Sequence, residues 1–308
     1  MSSTSSFPDL SQPVDHETEE RKLLAEINSI YDRFRTGTLR PDDLVERDGE
    51  TPPHWIAQTI RDRTNLQPDA AVFAHFNKGQ GAILDIGAHW GYTALAMRLT
   101  GSDCPIVSIE ASPANRACLA ELRSWDSRYD FVIQPLGESP AQKRLYTPVV
   151  NGVHIDGLTN LDGSTFNDHY ARLLASLVGK HIPYSKAYKV QISKIDVSVI
   201  SLDDALRSHA FRVPVEPVAA IKLDVEQHEL PVLKGASETL SKWRPFVMIE
   251  EANRNPPIVE LLRDRGYVYA DRDGDRVRLT NDVSQEVNGY WAHRDRLNEY
   301  RSAGLLVD

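Results

Sequence analysis

A short apolar run that contains Asp85 is followed by two glycines, in an order typical of a ligand-binding turn. The run Ala82–Ile86 contains Asp85, and Gly87 and Gly91 precede an amphipathic segment. Glycine lets backbone approach a ligand closely, and the free N–H groups of a following helix point at the same place. The pattern predicts a strand, a glycine turn and a helix that bind a nucleotide-like ligand, with Asp85, Gly87 and Gly91 as binding residues.

The spacing of these residues separates two classes of cofactor. A dinucleotide turn has the pattern Gly-x-Gly-x-x-Gly, which lets a pyrophosphate lie on the helix N-terminus, but His89 stands at the second glycine. Asp85 suits a ligand with a cationic amino group, which a pyrophosphate lacks. Glu110 ends the next apolar run, 25 residues after Asp85, where its carboxylate can accept hydrogen bonds from ribose hydroxyls. These features favour S-adenosylmethionine over a nicotinamide dinucleotide.

A third apolar run contains three ionisable residues on one face. Lys222, Asp224 and Glu226 alternate with the apolar residues Ile221, Leu223 and Val225. Such groups are costly on a buried strand unless they are paired. Either Lys222 forms an ion pair with Asp224 or Glu226, or this strand end faces the transferred methyl group and its acceptor. In the second case an alcohol acceptor must lose a proton, and Asp224, Glu226 and His228 are the candidate bases.

Two more carboxylates, Glu250 and Glu251, end a later apolar run and could border the same cleft. Four carboxylates there could bind Mg²⁺. The spacing defines no ligand geometry, and we therefore assign no metal.

The elements that must position these residues are short strands alternating with helices from Gly81 onward. This alternation predicts an α/β fold with a mostly parallel, doubly wound sheet. The runs Tyr267–Ala270 and Arg276–Leu279, joined by a turn that contains Gly274, predict a C-terminal antiparallel hairpin. The predicted buried strands are Ala82–Ile86, Ile106–Ile109, Phe131–Ile133, Val218–Leu223 and Phe246–Ile249.

A helical extension precedes this domain. Residues 1–17 are rich in Ser and acids and are predicted to be disordered, and residues 18–78 form the extension. Apolar residues from Leu23 to Phe34 recur at spacings of three and four, which predicts an amphipathic helix that packs on a core or on a second copy of the chain. A shorter helix is predicted from about Trp55 to Arg63.

The remaining residues, 79–308, form the catalytic domain, and they include one segment that breaks the alternation. Residues 146–194 carry aromatic and polar side chains over a length that is unusual for a connection in a compact domain. We interpret this segment as an insertion that covers the substrate.

Composition limits the partners. The chain of 308 residues has a formal net charge of −9 and a pI near 5.6, which argues against general affinity for nucleic acid or an anionic membrane. No apolar window of about 18 residues predicts a membrane span, and the first 20 residues do not resemble a secretory signal. Two cysteines, Cys104 and Cys118, are too few for a disulfide framework, so we expect a cytoplasmic protein.

Five motifs in the chain carry a resemblance to a known family. They are Leu-Asp-Ile-Gly-Ala-His-Trp-Gly-Tyr (84–92), Glu-Ala-Ser-Pro-Ala-Asn (110–115), Val-Ile-Ser-Leu-Asp-Asp (199–204), Ile-Lys-Leu-Asp-Val-Glu (221–226) and His-Glu-Leu-Pro-Val-Leu-Lys-Gly-Ala (228–236).

In these motifs the sequence resembles the FkbM family of methyltransferases over about residues 80–275. The resemblance implies a Rossmann-like class I methyltransferase that uses S-adenosylmethionine and methylates hydroxyls of sugars, polyketides or other natural products. It implies that four residues hold the cofactor: Asp85, Gly87, Gly91 and Glu110. It implies that three residues lie at the reaction centre: Lys222, Asp224 and Glu226.

Two positions depart from the family pattern. The family usually has Asn where His89 stands and Gly where Gln227 stands. His89 can still hydrogen-bond the cofactor. Gln227 predicts a backbone that does not adopt the conformation which only glycine takes readily.

The sequence therefore predicts an O-methyltransferase that acts on a glycan or a small molecule. Two alternatives stay open at this point. One is a nicotinamide-dependent oxidoreductase on the same sheet, and the other is a non-catalytic binding or scaffold protein that assembles through its N-terminal helix.

Overall fold

The apolar runs that carry the candidate residues form a central sheet. The computed structural model describes residues 16–47, 49–50, 68–77, 79–181, 188–250, 255–281, 283 and 287–307. Strands are numbered in chain order, and within these residues nine of them form the central sheet. They are β2 (Ala82–Ile86), β3 (Ile106–Glu110), β4 (Tyr129–Ile133), β9 (Val218–Leu223), β10 (Phe246–Glu250), β11 (Tyr267–Asp273), β12 (Arg276–Leu279), β13 (Asn288–His293) and β14 (Leu306–Val307).

One half of this sheet is parallel and the other half is mostly antiparallel. The strand order is β14-β12-β11-β13-β10-β9-β2-β3-β4. All neighbours from β4 to β10 pair in parallel, and each predicted buried run lies within a strand, as expected. Every residue of β2, β3 and β9 is buried, because both faces of this part of the sheet are covered.

The predicted hairpin is present, but it does not end the sheet. β11 and β12 pair in antiparallel fashion, β13 lies between β10 and β11 and is antiparallel to both, and β14 pairs with β12 in parallel. The strand prediction omits β13 because its first residues, Asn288 and Gly289, are typical of turns.

Helices cover both faces of the central sheet, as the prediction of a doubly wound arrangement requires. Ile83 and Leu84, adjacent on β2, belong to two different hydrophobic cores that also contain helical side chains such as Leu119 and Leu240 respectively. Short 3₁₀ helices cover Pro41–Asp43, Pro68–His75, Pro113–Asn115, Asp156–Leu158 and Arg294–Arg296. The described residues contain nine α-helices: α1 (His16–Arg35), α2 (Tyr92–Thr100), α3 (Arg116–Trp125), α4 (Asp168–His181), α5 (Leu202–Ser208), α6 (Glu229–Lys234), α7 (Ser237–Trp243), α8 (Pro256–Asp264) and α9 (Leu297–Ser302).

The segment predicted as an insertion belongs to a second sheet with a helix of its own. Two long strands at its ends pair in antiparallel fashion, so the segment extends from Ala141 to Val199, beyond the predicted bounds of 146 and 194. We call residues Ala141–Val199 the second element. The strands of the second sheet within the described residues are β1 (Leu44–Val45), β5 (Ala141–Val150), β6 (Val153–His154), β7 (Asn160–Leu161) and β8 (Val190–Val199).

The N-terminal helix α1 packs on this second element. Its apolar residues Leu23, Ile27 and Ile30 are buried in a third core that includes Leu174 of α4 and Ile192 of β8. The amphipathic helix is confirmed. Because its apolar stripe is covered within the chain, this stripe does not provide the surface for the predicted homo-oligomer.

Several predicted features lie outside the described residues. One is the N-terminal segment predicted to be disordered, although α1 already begins at His16 within the predicted range of 1–17. The other is the helix predicted from about Trp55 to Arg63. Among the helices that the structure describes, none has the length and apolar character needed to cross a membrane.

Candidate active site

The glycine turn forms as predicted at the carboxyl end of β2. Gly87 has φ +75°, and a Cβ atom there would overlap the carbonyl oxygen of Asp224 on the adjacent strand end. Gly91, at φ +82°, is the residue from which α2 begins. Only glycine fits at position 87, because any side chain would push the two strand ends apart.

Beneath this turn, Asp85 and Lys222 form a buried ion pair. The two residues are register partners on β2 and β9, and Lys222 Nζ lies 3.4 Å from Asp85 Oδ1. Lys222 Nζ also lies 3.2 Å from Asp224 Oδ2 and donates a hydrogen bond of 2.9 Å to the carbonyl oxygen of Gly87. Ser108 Oγ donates to Asp85 at 3.1 Å. The ammonium group therefore ties β2, the glycine turn and the end of β9 together, and an ion pair of Lys222 with Asp224, one of the alternatives that the sequence left open, is present.

Glu110 joins the end of β3 to the glycine turn. One carboxylate oxygen accepts a hydrogen bond of 2.7 Å from the His89 backbone N–H. The other accepts hydrogen bonds of 2.7 Å from the Ser112 N–H and 3.3 Å from the Asn115 amide. Burial raises the pKa of Glu110 to about 7. A carboxylate has about four lone-pair positions, so Glu110 can accept one ligand hydroxyl without releasing the turn.

His89 presents a neutral ring nitrogen at the same place. Its backbone is left-handed, at φ +51°, and its ring stacks on Trp90 with centroids 4.5 Å apart. Burial lowers the pKa of His89 to about 4, so the imidazole is neutral at physiological pH. Within the described part of the chain, the buried Nε2 of His89 has no hydrogen-bond partner. A ligand could supply the missing partner.

The turn after β9 corrects one expectation. Glu226 and Gln227 both have left-handed backbones, with φ +51° and φ +69°, so Gln227 adopts the conformation that glycine would favour. The Glu229 side chain compensates, because its Oε1 accepts hydrogen bonds of 3.2 Å from the N–H groups of Val225 and Gln227. The backbone preference of Gln227 is overridden here by hydrogen bonds to a side chain only two residues further along the chain, which the residue types alone do not show.

Three carboxylates meet at the ends of β9 and β10. One oxygen from each of Asp224, Glu226 and Glu250 lies within 4.8 Å of the others. Burial and the negative charge of Asp224 raise the pKa of Glu250 to about 9. Burial also opposes ionisation of Asp224, but the Lys222 ammonium and a hydrogen bond with Glu250 outweigh it and lower the pKa of Asp224. Glu250 in its neutral form therefore donates a hydrogen bond to the ionised Asp224. When ionised, three carboxylates this close together could hold a divalent cation. Glu251 lies outside the described residues.

A cavity at the carboxyl edge of the sheet joins the glycine turn, Glu110 and the end of β9. Further lining comes from the second element, with Asp156, Thr159 and Asn160. Asp156 is buried and ion-paired with Arg47. Six of the predicted site residues line the cavity: Gly87, His89, Glu110, Asp224, Glu226 and His228.

The other three predicted residues do not line the cavity. Asp85 and Lys222 are 0% and 3% exposed and lie beneath it, and Gly91 sits at the start of α2. The sequence prediction missed Asp156 and Glu229. The position of Asp156 depends on the pairing of β5 with β8, which no local signal shows, whereas Glu229 lies within a recognised motif, in the first turn of α6.

A family comparison identifies the class of protein to which this chain belongs. Residues 85–269 match the model of the methyltransferase FkbM domain, which is more than half of the chain. The chain therefore belongs to the FkbM methyltransferase family, whose usual methyl donor is S-adenosylmethionine.

Solved structures with a similar arrangement include three methyltransferases. Methyltransferase FkbM from Methylobacillus flagellatus KT is 15% identical over 90% of this chain and 58% of that chain, with a TM-score of 0.40. Precorrin-6y C5,15-methyltransferase from Geobacter metallireducens GS-15 is 10% identical over 74% of this chain and 88% of its own, with a TM-score of 0.35. The bifunctional kinase–methyltransferase WbdD is 12% identical over 87% of this chain and 46% of its own, with a TM-score of 0.35. The chain thus spans 58% of the length of the first of these proteins, and no curated protein matches its sequence.

Proposed function

We propose that the protein is an S-adenosylmethionine-dependent O-methyltransferase that acts on a hydroxyl of a sugar, a glycan or a small natural product. One observation carries this proposal. Residues from motifs far apart in the chain, Gly87, Glu110 and Asp224 among them, line one cavity at the carboxyl edge of the sheet. In open α/β sheets this edge is where ligands bind.

The residues at the β2–β3 end of the cavity fit the cofactor. Glu110 has acceptor capacity for a ribose hydroxyl, and His89 Nε2 is a buried polar atom without a partner among the described residues. The glycine turn keeps side chains away from the ligand. We assign cofactor binding to Gly87, His89 and Glu110, with Asp85 and Gly91 supporting the turn from below. When bound, S-adenosylmethionine supplies an electrophilic methyl group on a sulfonium.

The residues at the β9–β10 end can hold the proton that a hydroxyl acceptor must release. Asp224 is ionised because Lys222 lowers its pKa, and burial lowers the pKa of His228, so both are in the basic form at neutral pH. Glu226 lines the cavity beside them. We propose that one of these three accepts the proton, while Lys222 fixes the direction of the Asp224 carboxylate.

The second element provides the acceptor side of the cavity in this proposal. Asp156, Thr159 and Asn160 offer hydrogen-bonding groups that suit a hydroxylated acceptor. We propose a helical extension up to residue 78 and a catalytic domain of residues 79–308, in which the element from Ala141 to Val199, which contains the predicted segment 146–194, is the substrate lid.

Cofactor binding tests the proposal directly. Calorimetry of the wild-type protein should show S-adenosylmethionine and its demethylated product binding with dissociation constants on the order of micromolar. Glu110→Ala should weaken binding roughly 10- to 100-fold, since a hydrogen bond to a charged group contributes about 1.5–3 kcal/mol. Glu260→Ala, an exposed carboxylate on α8, is the matched control and should leave binding unchanged.

Two results would overturn the proposal. One is a well-folded wild-type protein that binds neither compound. The other is stabilisation by NAD(P)H without stabilisation by S-adenosylmethionine, which would favour an oxidoreductase. Once binding is established, label transfer from S-adenosyl[methyl-³H]methionine to fractionated cell extract identifies the acceptor, and chemical analysis shows whether a hydroxyl carries the methyl group.

A further inference from the structure

The turn that carries Glu226 has an unfavourable backbone conformation. Glu226 and Gln227 are adjacent, neither is glycine, and both have left-handed backbones, at φ +51° and φ +69°. A side chain makes this conformation costly because Cβ crowds the backbone. Two such residues in succession persist only where the surroundings hold them, and such sites cluster at functional positions.

Glu229 holds this turn from the side of α6. Its carboxylate is buried at 6% exposure, and one oxygen accepts the N–H groups of Val225 and Gln227, each at 3.2 Å. These two donors lie on either side of Glu226. A single acceptor that binds both of them fixes the path of the backbone between them.

Ser164 holds the same turn from the side of the second element. Its Oγ donates a hydrogen bond of 3.1 Å to the carbonyl oxygen of Glu226. The loop that carries Ser164 is itself fixed, because Gly163 lies directly against the ring of Phe34 on α1, and Phe34 packs edge-on against Phe166 with centroids 4.6 Å apart. The contact therefore connects the N-terminal helix to the proposed reaction centre.

We propose that Glu229 and Ser164 are positioning residues that hold the Val225–Gln227 turn and so fix the direction of the Glu226 carboxylate. This inference rests on the proposed function, in which Glu226 borders the acceptor. It gives the extension and the second element a role in catalysis, because they reach Glu226 through Ser164.

Hydrogen exchange of individual amides tests the first part. Glu229→Ala should lower the protection of the Val225 and Gln227 amides at least tenfold, because both lose their acceptor. Glu229→Gln should keep protection within about threefold of wild type, because the amide oxygen can still accept. Glu260→Ala is the control and should change neither amide. Unchanged protection in Glu229→Ala would overturn the proposal.

Methyl transfer tests the second part. The probe is S-adenosyl[methyl-³H]methionine with the extract fraction that the wild-type protein labels. Glu229→Ala and Ser164→Ala should each lower kcat about 10- to 100-fold while the KM for the cofactor stays within twofold, since only the acceptor end is misplaced. Gln227→Gly added to Glu229→Ala should restore a large part of kcat, because glycine takes the left-handed conformation without strain. A purely structural role for Glu229 predicts no such rescue.

Two controls separate the possible failures. If Glu229→Ala does not fold, the half-buried Ser164→Ala carries the test, and Glu229→Gln serves as its conservative control. Calorimetry with the demethylated cofactor shows whether the proposed function holds at all, and the exchange result remains readable without it. A normal kcat in Ser164→Ala would overturn the role of the second element.

Discussion

Lys222→Met removes an ammonium group that lies between two carboxylates and a carbonyl oxygen. Its Nζ is 3.4 Å from Asp85, 3.2 Å from Asp224 and 2.9 Å from the oxygen of Gly87, and the side chain is 4% exposed. Methionine is of similar length, so packing changes little, but the fully buried Asp85 loses its counter-charge. Breaking a buried ion pair on one side costs about 3–5 kcal/mol. We expect the free energy of unfolding to fall by about this amount.

Guanidinium unfolding followed by tryptophan fluorescence measures this loss. The midpoint should decrease while the slope stays constant, which identifies a change in stability and not in the unfolded state. Lys234→Met is the matched control, because Lys234 lies 3.5 Å from Glu138 at the surface, with side chains 46% and 59% exposed. An exposed pair contributes at most about 1 kcal/mol. Equal losses in the two variants would refute the reasoning.

A second substitution and the pH dependence separate lost charge from lost packing. Asp85→Asn in the Lys222→Met background removes the unpaired carboxylate and should regain part of the stability. Burial already raises the pKa of Asp85 in the wild-type protein against the opposing effect of Lys222, and the loss of Lys222 raises it further in Lys222→Met, so the folded variant binds more protons than the folded wild type. The deficit should therefore grow as the pH rises above about 4 and shrink in acid. A deficit that does not change with pH would point to packing instead.

Two further predictions concern the glycine turn and Glu110. Gly87→Ala should destabilise the fold by more than about 3 kcal/mol or prevent folding, because the added Cβ would overlap the Asp224 carbonyl oxygen. The control Gly274→Ala, with φ +68° and nothing within 4 Å, should cost only about 1 kcal/mol. Similar unfolding midpoints for the two variants would contradict this. Because burial raises the pKa of Glu110 to about 7, affinity for the demethylated cofactor should fall as the pH drops below 7, by at most about tenfold per pH unit. Calorimetry measures this affinity, and Glu110→Gln should show no such pH dependence. The sign for stability is opposite, because the folded state binds the extra proton, so raising the pH from about 4.5 to 7 should cost at most about 3 kcal/mol.

Much of the central sheet could be predicted because its signal is local. Short apolar runs such as Val218–Leu223 that end near an acid indicate buried parallel strands wherever they pair. The second sheet carries no such signal. Strand β5 contains Lys143, Arg144 and Pro148, and a proline argues against a strand interior. Its pairing with β8, whose partner residues lie 40 to 58 positions later in the chain, is a tertiary contact that sequence periodicity does not show.

In the candidate site, too, the sequence identified the residues but not the contacts between them. The motifs identified Asp85, Lys222 and Asp224, but the residue types left the partner of Lys222 open and suggested a cationic ligand for Asp85. The structure pairs Asp85 with Lys222 because the two are opposite each other on neighbouring strands. Strand register depends on how β2 and β9 meet, so the conversion of a predicted ligand-binding acid into a buried counter-ion could not be seen in the sequence.

Gln227 shows why a rule about single residues fails at this kind of site. A non-glycine residue ordinarily indicates a backbone without positive φ, yet Gln227 has φ +69° and the neighbouring Glu226 has φ +51°. The opposing preference amounts to roughly 1–2 kcal/mol per residue, which a few hydrogen bonds of about 1 kcal/mol each can offset. Glu229 and Ser164 supply three such bonds. His89 is a parallel case, because its left-handed backbone is held by the hydrogen bond from its N–H to Glu110. At both positions a side-chain carboxylate accepts the backbone N–H and stabilises the conformation that the residue itself disfavours; it lies two residues away for Gln227 and on the neighbouring strand for His89.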